Sequence, residues 1–175
     1  MSTFKWNVAQ TYAYIQMVVA SACKHMNWKG GKDGYACVAT SVGTPLLKFV
    51  LGKNKDKEIA VLRRYFCLES VRHLGTNSGH VSSWQSRDPS DGKTGGSIRV
   101  KGYILSLSFP GLSDHITETC VMAWARLVMP EQLSPTRLKE ILVASRNPWR
   151  FEIGVVNNPE DQFRSELVVN FEKVA

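Results

Sequence analysis

The chain has 175 residues, of which 43% are hydrophobic and 21% are charged, so it is long and apolar enough for one compact domain with its own core. This composition excludes a disordered or fibrous polypeptide, and no apolar run reaches the roughly 18–20 uncharged residues of a membrane-spanning helix. The formal net charge is +7, and the whole excess lies in residues 1–75, where 11 Lys and Arg face 4 Asp and Glu. A polyanion is the expected partner of that positive half.

The first elements are predicted from the periodicity of apolar residues. Apolar side chains occupy most even positions of residues 4–18, and this period of two indicates a long β-strand. Thr44 followed by Pro45 has the pattern of a helix cap with proline at the first helical position, which predicts a short helix that ends at Gly52.

A longer helix follows and carries much of the positive charge. It opens at Asn54 or Asp56 and runs to Leu74, with Gly75 as its stop signal. Its apolar stripe faces a core, which leaves three cations for the outer face: Arg63, Arg64 and Arg72. This helix is therefore the best rigid support for a charged surface.

The second half of the chain begins with residues 75–97, whose Ser, Gly, Asp and Asn content predicts a long flexible loop around Trp84. Residues 98–109 alternate as a strand, and a change of parity indicates a β-bulge near Gly102. The remaining predicted elements are a helix over 114–128, a helix over 135–146, and two paired strands near 151–155 and 167–171. This order predicts an α+β fold: a single compact domain over residues 1–175, with a mainly antiparallel twisted sheet packed with several helices.

Motifs of catalysis and metal binding are mostly missing from the sequence. Gly92, Lys93 and Thr94 resemble the end of a phosphate-binding loop, but the leading glycine position holds Arg87. Fingerprints of dinucleotide binding, zinc proteases and serine hydrolases do not occur, and no Cys and His pair has zinc-ligand spacing. We therefore expect no enzyme activity, no catalytic residue, no metal and no cofactor. A small intracellular enzyme that uses Cys67 or a histidine stays open as an alternative.

Clustered lysines and arginines are the strongest functional signal. Basic side chains next to a tryptophan suit an anionic membrane, where the indole lies at headgroup depth, and they suit nucleic acid equally well. A solvated loop with Trp28 packed into the core is the third interpretation. The candidate polyanion-binding residues are Lys24, Trp28, Lys29, Lys32, Lys53, Lys55, Lys57, Arg63 and Arg64.

Three segments resemble the small basic matrix proteins of negative-strand RNA viruses, particularly plant rhabdoviruses. They are FKWNVAQTYAYI at 4–15, RRYFCLESVRHLG at 63–75 and SIRVKGYILSLSF at 97–109. The resemblance implies a non-enzymatic structural protein of the virion and the host-cell cytoplasm, peripheral to the membrane and not secreted. Such a protein self-associates as a homo-oligomer and bridges viral ribonucleoprotein to an anionic lipid membrane.

Self-association of this kind needs an apolar anchor, and the sequence offers Trp84 in the predicted loop. The main alternative function is an RNA-binding viral protein without a membrane role: a capsid, movement or silencing-suppressor protein. Charge alone does not separate the two, because lipid headgroups and RNA phosphates are both anionic.

Overall fold

The computed structural model describes residues 5–30, 33–53, 55–86, 96–157 and 165–174, which form an α+β fold. Its helices are α1 (Val8–His25), α2 (Lys57–Thr76), α3 (Asp114–Val128) and α4 (Pro135–Ser145), with a 3₁₀ turn at Ser83–Ser86. Its strands are β1 (Gly34–Thr40), β2 (Pro45–Leu51), β3 (Ser97–Val100), β4 (Tyr103–Ser108), β5 (Trp149–Asn157) and β6 (Ser165–Lys173). The predicted fold class is confirmed.

Two antiparallel sheets organise the chain. Four strands pair in the order β2-β1-β4-β3, and β5 and β6 form a separate two-stranded sheet. Strand β2 lies at one edge of the larger sheet. At the other edge, β3 is partly covered because Ser82 bridges to Ile98.

Helices cover both faces of the four-stranded sheet. Helix α2 packs on β1, β4 and β3, while α1 and α3 pack on each other at the opposite face and carry the β5–β6 sheet on their outer side. Trp124 of α3 is fully buried in the larger core, and its indole Nε1 donates to the Thr11 carbonyl at 3.0 Å. The smaller core, beneath α2, includes Cys37 of β1 and Cys67 of α2.

The strand predicted over residues 4–18 is wrong, because residues 8–18 belong to α1. Asn7 caps the helix by accepting from the Gln10 amide at 3.0 Å, and the buried residues that follow have helical spacing: Thr11, Ile15, Val18, Val19 and Ala22. Even-numbered apolar residues also occur at i and i+4, so a period of two and a helical stripe overlap over so short a segment.

Two more predictions at strand boundaries are wrong. Residues 45–51 form the edge strand β2, since proline is tolerated at the first residue of an edge strand as well as at the start of a helix. The parity change near Gly102 marks a tight turn between β3 and β4, in which Gly102 has φ +80°, and not a bulge within one strand. Val100 and Tyr103 pair across that turn.

The remaining predicted helices and strands are confirmed, except that α2 continues through Gly75, the predicted stop, to Thr76. Helix α2 begins after Asp56, whose side chain accepts from two backbone amides, and Ser113 and Ser134 cap α3 and α4. The two C-terminal strands pair as expected. Of the predicted loop 75–97, residues 83–86 form the 3₁₀ turn, and residues 87–95 lie outside the described residues.

Candidate polyanion-binding surface

One face of the molecule carries exposed large apolar side chains from two neighbouring elements. They are Val50 of β2, with Val61, Leu62 and Tyr65 of α2, and we call this face the α2–β2 surface. Val61 is 68% exposed and Tyr65 57% exposed. Val50 remains uncovered because α2 packs on β1, β4 and β3, which leaves the outward face of the edge strand β2 bare.

Two adjoining depressions shape this surface. The first is lined by Tyr35, Lys48, Val50, Ala60, Val61 and Arg64. The second is lined by Lys57, Glu58, Val61, Leu62 and Tyr65. Because Val61 belongs to both, the depressions form one continuous apolar surface with cations along it.

The charge of the α2–β2 surface acts on the groups beneath it. Burial raises the pKa of Tyr35, and the nearby Arg64 guanidinium acts in the opposite direction. Burial also raises the pKa of Cys37 to about 11, and Lys48 opposes that rise. Both cations are therefore close enough to β1 for their charges to reach it, and Lys57 adds a third at the start of α2.

Several predicted lysines gather at one end of the larger sheet. Gly34 pairs with Leu51, so the segments before β1 and after β2 leave the sheet together. The Asp33 carboxylate accepts from the Lys53 amide at 2.7 Å and ties these segments to each other. The resulting exposed group is Lys29, Lys53, Lys55 and Lys57.

Trp28 belongs to the same end of the molecule, but it is anchored there. Its ring lies against Gly30 and Gly111, where a side-chain carbon at either glycine would collide with it. The indole is 36% exposed, so it combines a packed edge with a solvent-facing one. Lys24 lines a separate depression beside β6, and Lys32 lies outside the described residues.

Arg63 corrects the expectation of an outer-face cation. It is half-buried on the stripe of α2 that leads to Cys67, and its Nε is buried without a hydrogen-bond partner among the described residues. Burial lowers the pKa of its guanidinium. Arg64, one residue further along the helix, is exposed as predicted.

Trp84 lies against its own chain. Its ring stacks on His115 with centroids 3.8 Å apart and planes 26° apart, and it is half-buried in the 3₁₀ turn. This is a packed arrangement within one molecule. Self-association through Trp84 stays a prediction.

Two buried ionisable residues escaped the sequence analysis. Arg99 of β3 donates to backbone carbonyls from three different segments, and Glu118 of α3 is fully buried. An arginine in a strand gave no sign of this role. The burial of Glu118 could have been predicted, because this glutamate lies in the middle of a predicted helix among apolar and threonine residues.

The structure gives little support for a reactive thiol or for a metal site among the described residues. All four cysteines are buried and free, and burial raises the pKa of Cys67 and Cys120, which disfavours a reactive thiolate. Within the described ranges, no group of three metal-ligating side chains comes together. None of the described helices is long and apolar enough to cross a membrane.

No protein-family model, curated protein or solved structure matches this chain.

Proposed function

We propose that this chain is a non-enzymatic structural protein that attaches to an anionic membrane surface through the α2–β2 surface. The observation that carries the proposal is the combination, on one face, of four exposed large apolar side chains with Lys48, Lys57 and Arg64. In the wider role implied by the resemblance to viral matrix proteins, the attached protein would self-associate and hold ribonucleoprotein against the membrane.

The physics of a bilayer surface fits this combination. Each Lys or Arg near an anionic leaflet contributes about 1 kcal/mol, and apolar side chains that enter the headgroup boundary add about 25 cal/mol for each Å² they bury. Neither term alone gives firm attachment of a folded domain, whereas a basic apolar face supplies both.

The same surface fits RNA and a second copy of the chain less well. RNA offers phosphates and stackable bases, but Tyr65 is the one aromatic side chain among the four exposed apolar residues of this surface. A symmetric dimer through this face would bring Lys48, Lys57 and Arg64 toward the same cations of the other copy, with Glu58 as the acid lining the depressions. An anionic partner removes that repulsion.

Vesicle flotation tests the proposal directly. We expect the wild-type protein to float with phosphatidylcholine vesicles that contain about 30% phosphatidylserine and to stay behind with phosphatidylcholine alone. Binding should weaken from low to about physiological salt, because exposed charges are screened within about 8 Å there.

Two variants separate charge from apolar contact. The triple variant Lys48→Glu, Lys57→Glu and Arg64→Glu should lose flotation. A control of equal net charge, with Lys101, Lys139 and Lys173 each replaced by Glu, changes exposed lysines on other elements and should float normally. The variant Leu62→Ser with Tyr65→Ser keeps every charge and should still bind less.

Competition with single-stranded RNA decides between the two anionic partners. Binding of RNA with a steep salt dependence, together with indifference to anionic vesicles, would overturn the membrane proposal in favour of an RNA-binding protein. Equal flotation of the α2–β2 variant and its control would show that this surface is not the site.

A further inference from the structure

A buried carboxyl joins three parts of the fold. Glu118 of α3 is fully buried between the segment 80–86 and the turn that follows α4. None of these residues lines the α2–β2 surface, so the role of Glu118 does not depend on membrane attachment.

Glu118 holds the segment 80–86 through a short chain of contacts. The Ser82 hydroxyl donates to Oε2 of Glu118, and the same hydroxyl oxygen accepts from the Trp84 amide at 3.0 Å. Trp84 in turn stacks on His115, one turn before Glu118 on α3. The carboxyl and the indole therefore fix one segment to one helix.

The second oxygen of the carboxyl lacks a donor. Oε1 of Glu118 is buried and has no hydrogen-bond partner among the described residues. Ser145 and Asn147 lie close to the carboxyl and oppose the rise of its pKa, but each has another acceptor: the Ser145 hydroxyl donates to the Ile141 carbonyl, and the Asn147 amide donates to the His115 carbonyl and to Thr119 Oγ1.

A protonated carboxyl fits these surroundings and an ionised one does not. An O–H at Oε1 becomes a donor, for which the Ser145 hydroxyl oxygen is a nearby acceptor. An ionised Glu118 would instead bury a charge with half of its acceptors unmet. Burial accordingly raises the pKa of Glu118 to about 7, against the opposing hydrogen bonds.

We propose that Glu118 is a proton-dependent latch, closed while the carboxyl carries its proton and open when ionisation releases the segment 80–86 and frees Trp84 from His115. The ionisable groups around it are Asp114 and His115 on α3, His80 in the segment, and Arg146 and Arg150 beside the turn. Asp114 acts on the carboxyl and raises its pKa further. Arg99 of β3 donates to the His80 carbonyl at the start of the segment and to the Ser41 carbonyl after β1.

The direction in which pH changes the opening of the segment follows from the pKa values of Glu118 in the open and closed states. In the open state the pKa of the hydrated carboxyl returns toward its ordinary value of 4.5, whereas in the closed state burial raises this pKa to about 7. Opening is therefore least favourable below about pH 4.5, becomes tenfold more favourable with each pH unit up to about 7, and levels off above. Between pH 5 and pH 8 the opening constant should rise by roughly two orders of magnitude.

Hydrogen exchange of the amides of residues 80–86 measures this opening. After correction for intrinsic exchange rates, the wild-type segment should lose protection between pH 5 and pH 8. Glu118→Gln cannot ionise, and its amide can donate where the protonated acid does, so its protection should not change with pH. Glu140→Gln, at an exposed position, is the matched control and should behave like the wild type.

Each outcome is decisive. A wild-type segment whose protection does not change with pH overturns the latch. An equal loss of protection in Glu118→Gln also overturns it, and assigns the effect to another ionisable group. If the variant does not fold, carboxyl ¹³C titration of Glu118 in the wild-type protein replaces it, and a pKa near 4.5 would contradict the proposal.

Discussion

Arg99 shows how one side chain can hold several loops. Its Nε donates to the His80 carbonyl at 2.9 Å and its Nη1 to the Ser41 carbonyl at 2.6 Å. Its Nη2 donates to the carbonyls of Leu74 and Asn77 at the end of α2. The planar fork of a guanidinium reaches these directions at once, which an ammonium group cannot do.

We therefore expect Arg99→Lys to lower the free energy of unfolding by about 2 kcal/mol, although the charge is kept. At least two buried carbonyls would lose their donor. Denaturant unfolding measures the change, and Arg72→Lys on the exposed face of α2 is the control, for which less than about 0.5 kcal/mol is expected. Equal stability of Arg99→Lys and the wild type would contradict the structural role.

Neighbouring residues of one helix have separate environments. Arg63 and Arg64 are adjacent in the sequence, yet they lie about 100° apart around α2, because a helix has 3.6 residues per turn. Arg63 follows the stripe toward the sheet and is half-buried, while Arg64 faces solvent. The sequence indicated a basic helix but not which of the two arginines is available to a ligand.

The α2–β2 surface is a property of elements and not of single residues. It exists because one helix covers three strands of a four-stranded sheet and leaves the edge strand bare. An alternating strand places Lys48 and Val50 on the same side. No sequence pattern predicted this surface, because its residues belong to two elements that become neighbours only in the folded structure.

The lysines at the start of α2 give a test at the scale of the element. Lys53→Glu, Lys55→Glu and Lys57→Glu together should weaken binding to anionic vesicles and to RNA by roughly a hundredfold, at about 1 kcal/mol for each charge near the surface. Acidic side chains favour a helix N-terminus, so the variant should fold at least as stably as the wild type.

Flotation and an RNA-binding titration measure the loss, and thermal unfolding checks the fold. The Lys101, Lys139 and Lys173 variant described above is again the control of equal charge. Binding that is unchanged by the substitutions at Lys53, Lys55 and Lys57 would remove these lysines from the polyanion site.

Helices with clear caps were predictable, and ambiguous patterns were not. Ser113 and Ser134 each cap a helix where the sequence indicated one. Proline is compatible with the first position of a helix and with the first position of an edge strand, so the sequence around Pro45 fits both. The pairing of Pro45 with Ala39 shows that the segment is a strand. The segment that forms α1 is decided in the same way, by packing against α3.

At the scale of the whole molecule, Trp84 connects the latch to self-association. The indole is stacked on His115 in the closed arrangement, so a neighbouring molecule would reach it only after the segment 80–86 is released. A homo-oligomer that uses Trp84 should therefore depend on pH as the latch does.

Sedimentation velocity tests this dependence. We expect association to be stronger at pH 8 than at pH 5 in the wild type, and to fall in Trp84→Ala at pH 8, because the apolar anchor is removed. Trp84→Phe keeps an aromatic ring and is the matched control, which should retain most of the association. An oligomer of equal size in Trp84→Ala would exclude Trp84 as the anchor.

The sequence by itself determined the α+β class, the capped helices, the final hairpin and the concentration of positive charge in residues 1–75. These follow from local propensity and from counting, which need no knowledge of neighbours in space. Tertiary structure decided which cations are exposed, where apolar side chains remain bare, and that Glu118 and Arg99 are buried. Burial and hydrogen bonding depend on residues far apart in the chain, so these properties appear only when the elements pack.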